Sequence, residues 1–301
     1  MTTQPPPSGR QVELVAGDSR AVVVEVGGGL RTLRLGGCDV VSGYARSDRA
    51  NGGRGQHLVP WPNRVRDGRW IWQGRDQQLA LSEPAARTAI HGLARWSAWD
   101  VLEATASTAV VHHVVVPQPG WPGRLGVTCA WRLVEDGLSA EVTVVSECAE
   151  PVPLGYGAHP YLAAGSTGLV DDEVLQVPAE RFVVTDERGL PTGVQDVAGT
   201  AYDFRLARTV GDTVLDTCFG GIDRRVDGTA AVRLGRTEVW ADASFGWFQL
   251  YTGETLPQGE RRRSLAVEPM TCPPDALRSG TDLVVLEPGA SWTGTWGIRS
   301  I

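Results

Sequence analysis

Residues 155–162, Gly-Tyr-Gly-Ala-His-Pro-Tyr-Leu, hold the first side chain that could do chemistry. His159 directly precedes Pro160, and a residue before proline is pushed toward extended backbone. We therefore expect the imidazole to be mounted on stiff, extended chain. It could give or take a proton near neutral pH, because its ordinary pKa is roughly 6.5. His159 is a candidate catalytic acid, although a single histidine considered alone more often proves to be a buried structural residue.

Glu268 is the second titratable candidate. It follows the apolar residues 265–267 and also precedes a proline, so the pattern predicts a carboxylate on constrained backbone at the end of a strand. A partly buried carboxylate in such a place can act as a general base. A charged residue that simply caps the strand end fits this segment equally well.

Arg64 and His91 lie in two further polar segments. Arg64 follows the sequence Pro-Trp-Pro-Asn at 60–63, and its planar guanidinium offers five donors that suit ligands with paired oxygens. His91 precedes Gly92, which permits close approach of the backbone. Each segment alone is weak evidence, since a solvated surface arginine and an ordinary His-Gly pair explain them as well.

The elements that must position these side chains are predicted to be short strands. Thirty-seven glycines and 19 prolines interrupt the chain at short intervals, and alternating or β-rich runs lie between them. Glu-Asp-Gly at 135–137 between two apolar runs indicates a hairpin. We expect an all-β fold in one domain over 11–301, after a disordered proline-rich tail at 1–10, with one short helix at 274–279. The predicted strands are 12–15, 21–26, 30–35, 109–116, 127–134, 138–145, 232–234, 238–241, 247–252 and 265–267.

Charge and composition exclude several partners. The formal net charge is −7, whereas nucleic acids and anionic membrane surfaces require a basic footprint. No run of 18 apolar residues and no secretory signal pattern occurs in the sequence. The five cysteines are scattered and never spaced as CxxC, which favours reduced thiols. We expect a cytoplasmic protein with no nucleic-acid or membrane partner, present as a monomer or homodimer.

Taken together and in order, six motifs resemble the aldose 1-epimerase (galactose mutarotase) family. The resemblance spans roughly residues 10 to 300. Two supporting motifs are Leu-Asp-x-x-Phe and Tyr-Thr-Gly. In chain order the six are Asn63-Arg64, His91-Gly92, the segment from Gly155 to Tyr161, Leu215 to Phe219, Tyr251 to Gly253, and Glu268-Pro269 with Pro274 to Ala276.

The resemblance implies a large antiparallel β-sandwich, a free sugar as substrate, and no cofactor or metal. Family members interconvert the α and β anomers of aldoses by opening and closing the sugar ring. By resemblance, Glu268 is the expected general base and His159 the expected general acid. His91 is expected to donate a hydrogen bond near the ring oxygen, and Arg64 and Asp216 to bind sugar hydroxyls.

Several alternatives stay open at this stage. An epimerase of hexose 6-phosphates would need two or more converging arginines, for which the sequence offers Arg64, Arg66, Arg69 and Arg95. A non-catalytic carbohydrate-binding protein of the same fold is the third hypothesis, although it would not need both members of an acid–base pair.

Two features of the site are left undecided by the sequence. His57, His91, His159 and Glu268 could together hold zinc, but they lack the short spacing typical of such sites. The candidates for an aromatic platform under the sugar are Trp61, Trp99, Tyr161 and Trp247.

Overall fold

The computed structural model of the chain describes residues 5–165 and 167–301 and is built almost entirely from antiparallel strands. One short helix, α1 (Ala276–Ser279), and a 3-10 turn at Val170–Asp172 complete the described regular structure. The strands in the first half of the chain are β1 (Gln11–Ala16), β2 (Ser19–Val24), β3 (Leu30–Leu35), β4 (Cys38–Asp39), β5 (His57–Leu58), β6 (Arg64–Arg66), β7 (Arg69–Trp72), β8 (Arg75–Gln78), β9 (Thr88–Ile90), β10 (Asp100–Ala104), β11 (Thr108–Val115), β12 (Leu125–Val134) and β13 (Gly137–Ser146). Those in the second half are β14 (Val152–Leu154), β15 (Gly157–Ala158), β16 (Tyr161–Ala163), β17 (Val174–Gln176), β18 (Ala179–Thr185), β19 (Pro191–Asp196), β20 (Arg208–Thr209), β21 (Asp216–Ile222), β22 (Ala230–Leu234), β23 (Thr237–Ala241), β24 (Trp247–Tyr251), β25 (Ser264–Met270), β26 (Val284–Leu286) and β27 (Ser291–Ser300).

A nine-stranded sheet forms one large layer, in the order β10-β11-β12-β13-β27-β23-β22-β17-β20. Its centre is the hairpin of β12 and β13, in which Val134 pairs with Gly137. Buried and more exposed residues alternate along β13, as expected for a strand with one face on the core.

An eight-stranded sheet carries the residues of chemical interest. Its order is β19-β18-β21-β24-β25-β15-β5, and β16 pairs with β25 beside β15. All seven residues of β25 are buried, because this strand lies in the middle of the sheet between β24 and the β15–β16 segment. Side chains from both large sheets, such as Val142 and Phe248, belong to one buried hydrophobic cluster.

Smaller sheets attach to this frame. A four-stranded sheet has the order β1-β2-β3-β4, and three two-stranded ladders pair β6 with β9, β7 with β8, and β14 with β26. The β6–β9 ladder places Arg64 opposite Ile90, next to His91. Two sequence segments with candidate residues are therefore neighbours in space.

The structure confirms the all-β prediction and most of its predicted strands. The predicted hairpin of 127–134 and 138–145 corresponds to β12, which begins two residues earlier, and β13, which is longer by one residue at each end. The predicted helix at 274–279 is shorter and begins at Ala276.

Of the predicted tail, residues 1–4 lie outside the described residues, whereas Ser8 is buried and the Gly9 amide donates to the Pro6 carbonyl. The single domain over 11–301 stays a prediction. No helix among the described residues is long and apolar enough to span a membrane.

Candidate active site

One open cleft, with a volume of about 660 Å³, gathers all five predicted site residues. They come from four different places in the sheet system, which are β25, the β15–β16 junction, the β6–β9 ladder and the start of β21. The five residues are Glu268, His159, His91, Arg64 and Asp216.

Glu268 lies at the buried floor of the cleft. It sits inside β25 rather than at the strand end, because pairing with β24 continues through Pro269 to Met270. The prediction that Glu268 lies at the end of a strand is therefore wrong, because the strand continues for two more residues. Its Oε1 lies 3.3 Å from the Nε2 of His159, and its Oε2 is buried without a hydrogen-bond partner in the described structure.

His159 occupies the break between β15 and β16, where Pro160 keeps the chain extended. Its ring lies parallel to the Tyr161 ring, with centroids 5.0 Å apart and planes within 6°. Gly53, at φ +81°, packs against the edge of the imidazole that carries Cδ2. A Cβ at position 53 would stand 2.4 Å from Cδ2 of His159. A side chain at position 53 would therefore push the ring out of place.

Burial shifts both members of this pair toward their neutral forms. Burial and the charge of Asp216 raise the pKa of Glu268 well above its usual value, while Arg64 opposes that rise. Burial and the charge of Arg95, with a smaller effect of Arg54, lower the pKa of His159 to about 3. The contact at 3.3 Å is thus best described as a pair that holds one proton between two heavy atoms, and it titrates as a unit.

His91 faces this pair from the β9 end, with φ +63° and with its ring centroid 5.3 Å from that of His159. The backbone N–H of Asn63 donates to Nδ1 of His91 at 3.2 Å. In the neutral imidazole one nitrogen accepts and the other carries the proton, so this contact assigns the proton to Nε2. Burial and the charge of His159 lower the pKa of His91 well below its usual value. His91 is consequently a neutral hydrogen-bond donor.

Arg64 is fixed by a forked contact. Its Nε and Nη2 donate to the two carboxylate oxygens of Glu83 at 2.8 and 3.0 Å, and Thr88 donates to the same carboxylate at 2.7 Å. Nη1 stays 3.6 Å from Asp216 on the cleft side. The guanidinium therefore keeps one edge available to a ligand.

The Pro-Asp-Ala part of the Glu-Pro motif supports Arg64 rather than the ligand. The Asp275 carboxylate accepts from the amide of Arg66 at 2.8 Å, and the Asp275 amide donates to the carbonyl of Arg64 at 2.8 Å. Asp275 itself has φ +64°. Two distant motifs are thus joined through backbone contacts.

Sequence reasoning gave no site role to several residues that line the cleft, among them Gln249, Tyr251 and Trp96. Gln249 stands opposite Glu268 in the β24–β25 register, donates to Asp216 at 2.6 Å and leaves its buried Oε1 without a partner in the described structure. Tyr251 lies two residues further along the same strand, and Trp96 is 51% exposed beside the opening. A polar residue inside the apolar run 247–251 was the signal for Gln249.

Several residues proposed for the site lie elsewhere. Trp61, Trp99 and Trp247 are buried in the core at 5% exposure or less and do not line the cleft, because their large apolar rings are used for packing. Tyr161 does line the cleft, with its hydroxyl bonded to the Gly52 carbonyl at 2.7 Å. His57 is buried away from the cleft, with Nδ1 2.6 Å from the Tyr156 hydroxyl.

Three residues could hold a metal ion by their spacing, but one of them has no free lone pair for it. His91, His159 and Glu268 have candidate ligand atoms within 4.8 Å of one another. Metal binding needs a deprotonated nitrogen, but the lone pair of neutral His91 is on Nδ1 and already accepts from Asn63. The arrangement fits proton transfer better than metal coordination, and the absence of a metal stays a prediction.

All cationic side chains of the cleft are arginines, and the 28 basic residues of the whole chain are all arginine. A guanidinium stays protonated in proteins and hydrogen bonds in a fixed plane. The cleft therefore contains permanent donors but no amine that could itself act as a nucleophile.

Comparisons with known proteins agree with this fold. The chain resembles the solved GalM/aldose epimerase homologue from C. elegans with a TM-score of 0.84 at 18% identity, covering 96% of this chain and 98% of that one. It resembles galactose 1-epimerase from Lactobacillus acidophilus with a TM-score of 0.79 at 20% identity, covering 96% and 93%. These similarities define the class of the fold, that of the galactose mutarotase-like aldose epimerases.

Sequence comparison then specifies the family. The model of the family "Aldose 1-epimerase" matches residues 10–299. The chain is also 35% identical over 283 residues to the uncharacterized protein YihR of Escherichia coli, covering 94% of this chain and 90% of that protein. This chain belongs to the aldose 1-epimerase family, a family of isomerases.

Proposed function

We propose that this protein interconverts the α and β anomers of a free aldohexose. The observation that carries the proposal is the distance of 3.3 Å between His159 Nε2 and Glu268 Oε1 at the floor of an open cleft. The anomeric hydroxyl oxygen and the ring oxygen of an aldose are bonded to the same carbon, so they too lie side by side. One member of the pair can contact each oxygen.

The reaction needs two proton transfers and no net change in protonation. Glu268, as a carboxylate, takes the proton from the anomeric hydroxyl while His159 gives a proton to the ring oxygen. The bond between the anomeric carbon and the ring oxygen then breaks, and a free aldehyde forms. Rotation about the adjacent carbon–carbon bond followed by the reverse transfers yields the other anomer.

Neighbouring groups support this exchange. Arg64 opposes the rise in the pKa of Glu268 and so favours its ionised form. The protonated Nε2 of His91 can donate to an oxygen that gains negative charge in the transition state. Gln249 and Asp216 present a free acceptor and a carboxylate to the sugar hydroxyls. The exposed ring of Trp96 and the ring of Tyr251 are the best placed aromatic surfaces for an apolar sugar face.

A polarimetric assay tests the proposal. Purified protein added to fresh α-glucose or α-galactose should accelerate the change in optical rotation at least about a hundredfold beyond the spontaneous rate, as general acid–base catalysis typically does. Heat-denatured protein serves as the control. Failure to accelerate mutarotation of any free or phosphorylated aldose would refute the proposed function.

One observation favours a second candidate, an aldose with an anionic substituent such as a 6-phosphate. Arg95 lines the cleft and forms no ion pair in the described part of the chain, whereas Arg64 is held by Glu83. Arg66 instead contacts Asp186 and Asp275, so it does not add a second guanidinium to the cleft. Arg49 also lines the cleft and forms no ion pair among the described residues, but its side chain is exposed. The carboxylates of Glu83 and Asp216 line the same cleft and would repel a phosphate, which keeps the neutral sugar in first place.

The same assay separates the two candidates when glucose and glucose 6-phosphate are compared in wild type and in Arg95→Met. A neutral substrate predicts that free sugars are preferred and that the variant keeps that preference. An anionic substrate predicts that the 6-phosphate is preferred and that Arg95→Met abolishes the preference.

A further inference from the structure

We propose that Arg54 is a positioning residue for His159, acting through the ring of Tyr161 and through its own charge. This inference rests on the proposed role of His159 in proton transfer. Arg54 lies outside the six sequence motifs, and it forms no hydrogen bond with Glu268 or His159.

Arg54 is an anchored, buried cation. Its side chain is 4% exposed, and its Nη2 lies 3.0 Å from Glu260. Nη1 also donates to the side chain of Asn51, which in turn donates to Glu260 at 3.0 Å. The guanidinium carbon lies 4.7 Å from the centre of the Tyr161 ring, within range for a cation–π interaction. Two side-chain contacts, with Glu260 and Asn51, thus hold one charge against one aromatic ring.

The same ring is stacked on His159, which links the cation to the imidazole. The planes of Tyr161 and His159 are within 6° of parallel, and the Tyr161 hydroxyl is tied to the Gly52 carbonyl. Movement of the Tyr161 ring would therefore be transmitted to the imidazole. Arg54 restricts that movement from the ring side, and Gly52 restricts it from the hydroxyl side.

The backbone around Arg54 also holds His159. The amide of Gly55 donates to the carbonyl of His159 at 2.9 Å, and the amide of His159 donates to the carbonyl of Gln56 at 3.1 Å. Gly53 lies directly against the imidazole. Residues 51–56 therefore form a cradle on which the position of His159 depends, and Arg54 anchors that cradle to Glu260.

The charges that face the pair set the sign of the expected effect. His159 is faced by Glu268, His91, Tyr161, Arg95 and Arg54, and Glu268 is faced on its other side by Arg64 and Asp216. A nearby positive charge weakens the hold of the pair on its shared proton. Loss of the Arg54 charge should let the pair keep its proton to higher pH, and loss of the Glu260 charge should do the opposite.

The test compares pH profiles of kcat/KM for mutarotation in four variants. In Arg54→Met the alkaline limb should move up by about half a pH unit or more, and kcat should fall about tenfold because the imidazole is less well placed. In Glu260→Gln the limb should move down. Arg54→Lys should restore the limb, since an ammonium can still pair with Glu260. Arg34→Met, which removes an exposed ion pair with Asp39, should leave the profile unchanged.

Shifts in the same direction for Arg54→Met and Glu260→Gln, or an unchanged limb in both, would overturn the proposal, because a purely structural role predicts no opposite signs. A ring-proton NMR titration of His159 in the same variants needs no substrate. A difference between Arg54→Met and wild type in that titration would support the positioning role even if the enzyme proved inactive on the sugars tested, and identical titrations would refute it.

Discussion

At the scale of single residues, the site depends on a carboxyl group placed where water cannot solvate its charge. Glu268 is 2% exposed, and its Oε2 has no partner in the described structure. Such a group is costly to ionise. It gains a suitable partner when a sugar hydroxyl occupies the cleft, so poor solvation in the free protein is consistent with the role proposed for it.

Replacing Glu268 with glutamine should abolish turnover without abolishing binding. The amide keeps the size and a hydrogen-bonding capacity of the side chain but cannot accept a proton, so kcat should fall by about 10²–10⁴. Polarimetry measures the loss, and calorimetric titration with the sugar measures the binding. Near-normal activity in Glu268→Gln would show that the base is another residue.

The same variant should be more stable than wild type at neutral and alkaline pH. The pKa of Glu268 is raised in the folded protein, so its favourable contribution is complete below its unfolded pKa and is lost as the pH rises through the folded pKa. Glutamine does not titrate and avoids that loss. Thermal unfolding of both proteins at pH 4.5 and pH 8 measures the effect, and the gain in Tm should be larger at pH 8.

At the scale of elements, Glu268 lies inside a strand, whereas His159 and His91 lie where strands break or end and where few side chains fit. The turn after β9 brings His91 and Gly92 into left-handed backbone, with φ values of +63° and +69°. A Cβ on Gly92 would lie 2.1 Å from the carbonyl oxygen of Val59. His91 is therefore aimed by a close approach of two backbone segments.

Gly92→Ala should destabilise the protein and displace His91. Gly74→Ala is a matched control, since Gly74 has φ +73° but nothing within 4 Å of an added Cβ. The control should cost about 1 kcal/mol of unfolding free energy, and Gly92→Ala about 1–3 kcal/mol more. Urea unfolding measures both, and polarimetry should show reduced kcat for Gly92→Ala alone. Equal costs for the two variants would contradict this explanation.

The long strands β12 and β13 could be predicted from the sequence, whereas the ten-residue β27, whose alternation is interrupted by Gly294 and Gly297, and the shortest strands were missed. The alternation along 127–134 and 138–145 spans enough residues to reveal period two, and these segments are β12 and β13. Strands of two or three residues, such as β5 and β15, give no such pattern, because their existence depends on neighbours distant in sequence.

The same physical reason separates the predicted site residues from the missed ones. Glu268 and His159 could be predicted because they lie in motifs that resemble a family. Gln249 is marked only as a polar residue inside an apolar run, and its place beside Asp216 and Glu268 depends on the register of three strands, which the sequence does not show. Of the four candidates for the aromatic platform, Tyr161 lines the cleft and Trp61 does not, because an aromatic residue in a proline-rich segment carries no mark that separates a binding surface from a core position.

At the scale of the whole molecule, a buried charge cluster helps to hold the nine-stranded sheet. Glu238 on β23 is fully buried and accepts hydrogen bonds from Arg225, Arg233 and Arg299, at distances from 2.6 to 3.0 Å. Although burial raises the pKa of Glu238, these three arginines lower it to about 2. The cluster joins β22, β23 and β27 in one layer.

This cluster should make stability depend on acid pH. A carboxyl group with a lowered folded pKa contributes stability that is complete above its unfolded pKa, near 4.5, and is lost as the pH falls toward the folded pKa. We expect a loss on the order of 2 kcal/mol between about pH 5 and pH 2, discounted because the arginines are partly exposed. Urea unfolding across this range should show a shallower dependence in Glu238→Gln than in wild type. The exposed Glu103→Gln is the control and should follow wild type.

The cationic composition of the chain has a chemical consequence. Under the proposed reaction, each turnover releases the reactive centre of the sugar as an open-chain aldehyde inside the cleft. Aldehydes condense with the primary amine of lysine to give imines, which would lead to glycation of a protein that handles reducing sugars. With arginine at every basic position of the sequence, the aldehyde meets guanidinium groups that bind its oxygen but form no such adduct. The chain can therefore hold its own intermediate without being covalently modified by it at a lysine.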